Sequence, residues 1–184
     1  MHNKKLSKFL SLILRHRPEA LGITLDPQGW ASVKDIRDKM AERGKGITLE
    51  ELKEVVANND KQRFKLSEDG KQIRANQGHS ITVDLQFTPQ IPPNTLYHGT
   101  ATKYIDSILQ QGLRKRKRTH VHLSKDKETA LKVGQRHGKP FILLINAKEM
   151  QADGYPFYLS DNGVWLTDHV PIKYICSRAK LFDC

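Results

Sequence analysis

The sequence predicts an α+β chain: three helices and a β-hairpin, then a strand-rich second half. Three observations carry that prediction. Leu6, Phe9, Leu10, Ile13 and Leu14 recur at helical spacing near the start, and two further helical patterns follow. Short runs of strand character, bounded by Gly, Asp, Asn and Pro, recur from residue 63 onward. The chain has neither a glycine-rich phosphate loop nor a regular strand–helix–strand alternation, so a doubly wound parallel sheet is not expected.

The first helix is stopped by Pro18, because the residue before a proline is pushed out of the α region. Arg15, His16 and Arg17 therefore fall in its last turn. Ser32 reads as the N-cap of a second helix running through Ile36 and Met40 and stopping near Gly44. Thr48 with Glu51 is a capping-box pattern, and Leu49, Leu52, Val55 and Val56 supply the stripe of a third helix. Residues 63–67 alternate, Glu68-Asp69-Gly70 is a turn, and residues 71–76 return as a second strand. Three helices followed by a hairpin read as a winged helix, a fold often used on nucleic acid, and residues 1–79 are assigned to that lobe.

Residues 80–94 contain Pro89, Pro92 and Pro93 and read as a connector with a short strand at 80–86. The second lobe is assigned to residues 95–184. In it, Leu96-Tyr97-His98 reads as a strand ending at Gly99-Thr100, and a short helix over 102–111 stops at Gly112. A basic run, residues 114–118, leads into a strand through Leu123. Ser124 is expected to cap a helix that Gly138 ends, and residues 141–145 form a fully apolar strand. Residues 157–160 and 164–167 form a hairpin around Asp161-Asn162-Gly163, with a last strand near 172–176.

Net charge is +11, with 16 Lys and Arg against 11 Asp and Glu in residues 1–79, and 15 against 9 in residues 80–184. Two basic halves point to a polyanion touching both, rather than to a basic tail on a neutral enzyme. A generally basic protein without such a partner is the bland alternative. Cys176 and Cys184 make no metal-ligand spacing and no disulfide framework, so a reducing cytoplasm is the expected setting. The N-terminus has no apolar leader core, no run approaches a membrane span, and nothing demands more than a monomer.

Arg15-His16-Arg17 is either favourable charge at a helix C-terminus or a phosphate clamp, since arginine offers a planar fork matched to phosphate oxygens. Arg63 alone would be a solvated edge residue. A glycine after a strand, as in His98-Gly99-Thr100, is either a turn or a place where a ligand comes close to the backbone. In a strand, Arg118, His120 and His122 share one face, with Val121 and Leu123 turned into a core. The two imidazoles lack an acidic or thiol partner for a metal and are otherwise packed histidines. Residues 114–118 as a block are a solvated loop or a backbone-binding patch.

Five stretches, residues 6–18, 62–64, 96–100, 118–124 and 163–167, together closely resemble the RNA 2′-phosphotransferase family of the KptA type, relatives of the fungal tRNA 2′-phosphotransferase. The resemblance spans nearly the whole chain and rests on their order and spacing. It implies a winged-helix lobe followed by an ADP-ribosyltransferase-like NAD-binding lobe. It implies removal of an internal 2′-phosphate from RNA, the mark left by some RNA ligation reactions, with NAD consumed as co-substrate and no metal. The RNA phosphate attacks C1″ of the nicotinamide-bearing ribose and expels nicotinamide. O2″ then attacks that phosphate, releasing 2′-OH RNA and ADP-ribose 1″,2″-cyclic phosphate.

The family's Arg-His-Arg-Arg tetrad maps to Arg15, His16, Arg63 and Arg118. His98 and His122 match histidines of its NAD site, and Val164 takes the third position of its transferase triad. Gly99, Thr100, His120 and Ser124 are counted with that NAD site. Protein ADP-ribosylating relatives usually carry a glutamate in the third motif, whereas Gly163-Val164-Trp165-Leu166-Thr167 has no acidic side chain. A dianionic phosphate needs no strong base to attack, and His16 is assigned to acid–base work or to phosphate binding in the second step. Arg114 and Arg116 are rivals of Arg118 by register, and Arg74 is a weaker rival of Arg63. The resemblance leaves room for an ADP-ribosylase activity. Two other functions stay open: ADP-ribosyl transfer to terminal phosphates of RNA or DNA, and a non-enzymatic winged-helix nucleic-acid-binding protein.

Overall fold

The structure is a computed structural model and describes residues 3–58 and 62–176. The chain is α+β and divides into two compact units, residues 1–86 and 87–184. Cys184 lies outside the described residues, and Cys176 is buried.

In the first unit α1 (Asn3–Arg15) buries Leu6, Leu10, Ile13 and Leu14 completely. Each such side chain contributes about 2 kcal/mol of apolar burial. His16 and Arg17 follow the helix rather than closing it. β1 (Ala31–Ser32) leads into α2 (Val33–Glu42), where the Ser32 hydroxyl accepts the Asp35 N–H. α3 (Leu49–Ala57) begins with the reciprocal Thr48–Glu51 capping box, at 2.8 and 3.0 Å. β2 (Phe64–Leu66) and β3 (Gln72–Ala75) pair antiparallel around a turn at Gly70, and β1 joins the other edge of β3. Residues 80–86 are not a strand. Ser80 donates to the Arg15 carbonyl and Asp84 to that of Pro27, so these amides serve loop and helix-end acceptors, while Leu85 is buried.

The second unit is built on β4 (Thr95–Ala101), α4 (Ile105–Gln111), β5 (Leu113–Arg114), β6 (Val121–Leu123), α5 (Lys127–Gly134) and β7 (Pro140–Asn146). It continues through α6 (Ala147–Ala152), β8 (Tyr158–Leu159), β9 (Trp165–Thr167), β10 (His169–Val170) and β11 (Ile175–Cys176). β7 lies between β11 and β4, β9 lies between β6 and β8, and β5 pairs with β10, all antiparallel. A bridge between Tyr97 and Ser124 ties β4 to the end of β6.

Four expectations for this unit need correction. The strand before Ser124 spans only Val121–Leu123, so Arg118 and His120 precede it. α5 is capped by Asp126, whose carboxylate accepts the Thr129 N–H at 2.7 Å. Ser124 lies two residues before that cap, at the end of β6, where its N–H and C=O pair with Tyr97. α5 also ends at Gly134, not Gly138. The final strand is only Ile175–Cys176, after a 3-10 turn at Ile172–Tyr174, and α6 had no counterpart in the sequence reading.

Candidate active site

One cluster forms where α1 ends. Arg15 donates from Nη2 to the Arg63 carbonyl at 3.3 Å, and its guanidinium carbon lies 5.9 Å from the centre of the Phe64 ring. The same Arg63 carbonyl accepts the Asn76 N–H at 2.9 Å. Gly78, at φ +88, passes its backbone against this guanidinium, and a Cβ there would touch Arg15 Nη1 at 3.6 Å. Ser80 holds the other side: its N–H donates to the Arg15 carbonyl, and its hydroxyl sits 2.9 Å from Nδ1 of the exposed His16. Arg15, His16 and the Arg63 backbone are thus knitted together. Arg17 is not part of this knot, being paired with Glu19 at 3.2 Å on the surface. Arg74 instead stacks over Trp30, 4.7 Å from the ring centre.

Sequence reasoning missed His79. Its side chain is fully buried and neither ring nitrogen has a hydrogen-bond partner. Burial, then the charges of Arg15, His16 and Arg74, push its pKa down to about 4. It is a neutral imidazole packed among cations. Nothing in its polar neighbourhood, Asn76-Gln77-Gly78, marks it for burial.

A second cluster forms between β4 and β6. Val121 and Leu123 point into the core, which leaves His122 on the other face of β6. Arg118 Nη1 lies 2.5 Å from His122 Nδ1. Arginine only donates, so Nδ1 must accept, and the His122 proton sits on Nε2. His98, on β4, donates from Nδ1 to the His122 carbonyl at 3.0 Å. Its pKa is lowered, first by burial and then by the charges of Arg118 and His137, against the opposing pull of that hydrogen bond. His98 is therefore neutral near pH 7 with Nε2 as an acceptor. Arg118, His122 and His98 form one connected chain. Arg114 and Arg116 are outside it.

The other expected site residues have local explanations. Gly99 is required by packing: a Cβ would lie 1.7 Å from the Ala130 carbonyl oxygen of α5. Thr100 is buried beside that contact, since a Cβ on Gly134 would meet its carbonyl oxygen at 2.6 Å. Ser124 gives its backbone to Tyr97. Val164 donates its N–H to the Ser160 hydroxyl at 3.0 Å, next to the turn at Gly163. His120 packs edge-on against Tyr158 and Phe87, at 5.5 and 6.2 Å between centroids. Its pKa is lowered by burial and by Lys115, against a raising influence from Asp168.

Guanidinium groups set beside imidazoles of defined tautomer are equipment for holding phosphate oxygens and ribose hydroxyls. Among the described residues no group of three or more His, Cys, Asp or Glu could hold a metal ion, and no helix is long and apolar enough to cross a membrane. The chemistry suggested by these clusters is that of a transferase acting on phosphate. The chain belongs to the RNA 2′-phosphotransferase, Tpt1 / KptA family, whose model matches residues 1–169. It is 57% identical over 171 residues to a "Probable RNA 2′-phosphotransferase" of Acaryochloris marina, covering 93% of this chain and 94% of that relative. Relatives of the same description from Agrobacterium fabrum and Hahella chejuensis are each 56% identical, over 173 and 172 residues. These matches cover 94% of this chain and 93% and 92% of the relatives.

Proposed function

We propose that the protein removes an internal 2′-phosphate from RNA at the expense of NAD. In this proposal residues 1–86 act as a winged-helix lobe that presents Arg15, His16 and Arg63 to the phosphate. Residues 87–184 act as an ADP-ribosyltransferase-like lobe that binds NAD. Three helices with the sheet order β1-β3-β2 support the first assignment, and the joined sheets carrying His98 and His122 support the second. NAD supplies the electrophilic ribose carbon and takes the phosphate away as ADP-ribose 1″,2″-cyclic phosphate, with nicotinamide as the leaving group.

The chain's own residues have distinct tasks. Arg15, Arg63 and Arg118 neutralise and orient the phosphate, which is already mostly dianionic near neutrality, its second pKa being about 6. His98 offers Nε2 as an acceptor to a ribose hydroxyl, because its Nδ1 proton is given to the His122 carbonyl. His122 offers its Nε2–H as a donor, because Arg118 occupies its Nδ1. His16 moves a proton in the second step, when a ribose hydroxyl becomes a nucleophile and the RNA 2′-oxygen leaves. A phosphate that arrives charged explains why Gly163-Val164-Trp165-Leu166-Thr167 works without a carboxylate.

The single observation that best supports this function is the Arg118–His122–His98 chain, which couples a phosphate-binding cation to two groups suited to ribose hydroxyls. The test is an oligoribonucleotide with one internal 2′-phosphate. It should lose the phosphate only when NAD is added, with one nicotinamide released per phosphate. End-phosphorylated RNA and DNA serve as comparison substrates. No turnover of the internal 2′-phosphate across pH and salt overturns the proposal, and labelling of end phosphates alone replaces it with terminal ADP-ribosylation.

A further inference from the structure

The basic run 114–118 divides in two. Its last residue, Arg118, belongs to the histidine chain. Arg114, Lys115 and Arg116 open instead into a separate concavity of about 760 Å³, lined also by Gln111, Asp168 and His169. We propose that this basin is a docking surface for the sugar-phosphate backbone of the RNA beside the reacting phosphate. The proposal rests on the RNA 2′-phosphotransferase function set out above.

The basin is shaped to present charge. Arg114 lies on β5 directly opposite His169 on β10. His169 donates from Nε2 to the Gln111 carbonyl at 3.3 Å, which fixes its ring at the end of α4. Arg116 occupies the left-handed region at φ +53, in a turn closed by the Arg118 N–H and the Lys115 carbonyl at 3.0 Å. Its guanidinium rests 5.8 Å from the centre of the Tyr104 ring. Three cations thus face one carboxylate. That carboxylate, Asp168, pairs with Lys115 at 3.4 Å, with both side chains about half exposed. An exposed pair of this kind is weakly held, so a phosphate can take Lys115 from it.

The occupant follows from the chemistry of the lining. Arg114, Lys115 and Arg116 are all exposed, whereas a small-molecule site encloses most of its ligand. Among the six lining residues the only aromatic ring is the His169 imidazole, which is tied to the Gln111 carbonyl, so cationic groups rather than stacking platforms dominate the surface. A run of exposed cations holds phosphates through charge, a contact that carries no sequence information by itself. The same turn also delivers Arg118 to His122, so a strand lying in the basin is led toward the reacting phosphate.

The test compares the full-length chain with a double variant, Arg114→Gln with Arg116→Asn, asparagine being tolerant of the left-handed backbone. Two RNAs carry the same internal 2′-phosphate, one a trimer and one a 20-mer. The variant should raise the ratio of KM for the 20-mer to KM for the trimer about tenfold over wild type. Binding of an unmodified single-stranded 20-mer, followed by fluorescence anisotropy, should lose about 1.4 from its slope of log affinity against log salt. That is two phosphate contacts at about 0.7 each. An unchanged ratio with an unchanged salt slope overturns the proposal, as does an equal loss on both substrates with the slope unaltered. Preferential binding of an acidic peptide at this surface, with no effect on RNA, also overturns it. If wild type turned over neither RNA, the catalytic proposal would fail, and the anisotropy slope alone would decide whether the basin holds RNA.

Discussion

Gly99→Ala separates packing from ligand approach at a position where the sequence allowed both. A methyl group on Gly99 would sit 1.7 Å from the Ala130 carbonyl oxygen and 2.6 Å from its carbon, where an ordinary contact is 3.4 Å or more. To make room, α5 must retreat by about 1.7 Å, half an ordinary contact distance. It cannot easily pivot, because Gly134, at its other end, is already pressed against the Thr100 backbone. Overpacking of a core contact costs roughly 1–3 kcal/mol, and a rigid carbonyl places this case at the upper end. At about 4–8 °C per kcal/mol for a domain of this size, Tm of the second unit should fall by about 12 °C or more. Thermal melts by circular dichroism, with KM for NAD measured well below the transition, provide the assay. A variant melting within about 2 °C of wild type refutes the packing account. If KM for NAD rose while Tm held, ligand approach rather than packing would be the reason for the glycine.

Two further outcomes are expected. Arg118→Ala removes the donor to His122 Nδ1 and, with it, the cation proposed to hold the phosphate, so product formation should fall by about 10²–10³-fold while ADP-ribosylated RNA accumulates; mass spectrometry of the RNA with undiminished product would dismiss that role. His79 stays neutral in the native protein down to about pH 4, whereas an unfolded histidine protonates near 6.5. Unfolding therefore takes up a proton between these values, and the stability from His79 is complete above pH 6.5 and drains as pH falls toward 4, by about 3 kcal/mol. Urea titrations at pH 4 to 7 should show this slope in wild type and a shallower one in His79→Leu, and parallel curves would contradict it.

Much of the fold is legible from neighbours along the chain. α1, α2 and α3 are announced by apolar spacing, by Ser32 and by the Thr48–Glu51 box, all of which act within about one turn. The hairpins at Gly70 and Gly163 are legible because a left-handed turn residue favours glycine. Readings failed where a remote group competes. Ser124 looks like a cap, but pairing with Tyr97, 27 positions away, keeps it in the sheet and the helix starts after Asp126. Residues 80–86 alternate like a strand, yet their amides serve Arg15 and Pro27.

The candidate site divides along the same line. Residue types and local order mark Arg15-His16-Arg17 and the run from Arg118 to His122 as unusual, whereas Arg63 and His98 stand out only through the resemblance to the family. What each atom does is a matter of distant partners: the His98 proton is placed by a carbonyl 24 residues on, and His16 is held by a hydroxyl 64 residues on. The buried state of His79 and the packing role of Gly99 likewise exist only after collapse, since desolvation and steric contact have no counterpart in an extended chain. The linear order of side chains thus determined the helices, the turns and the stock of reactive groups. Tertiary packing decided tautomer, charge state and the division of one basic run between a histidine chain and an open basin, because those depend on which groups lose water together.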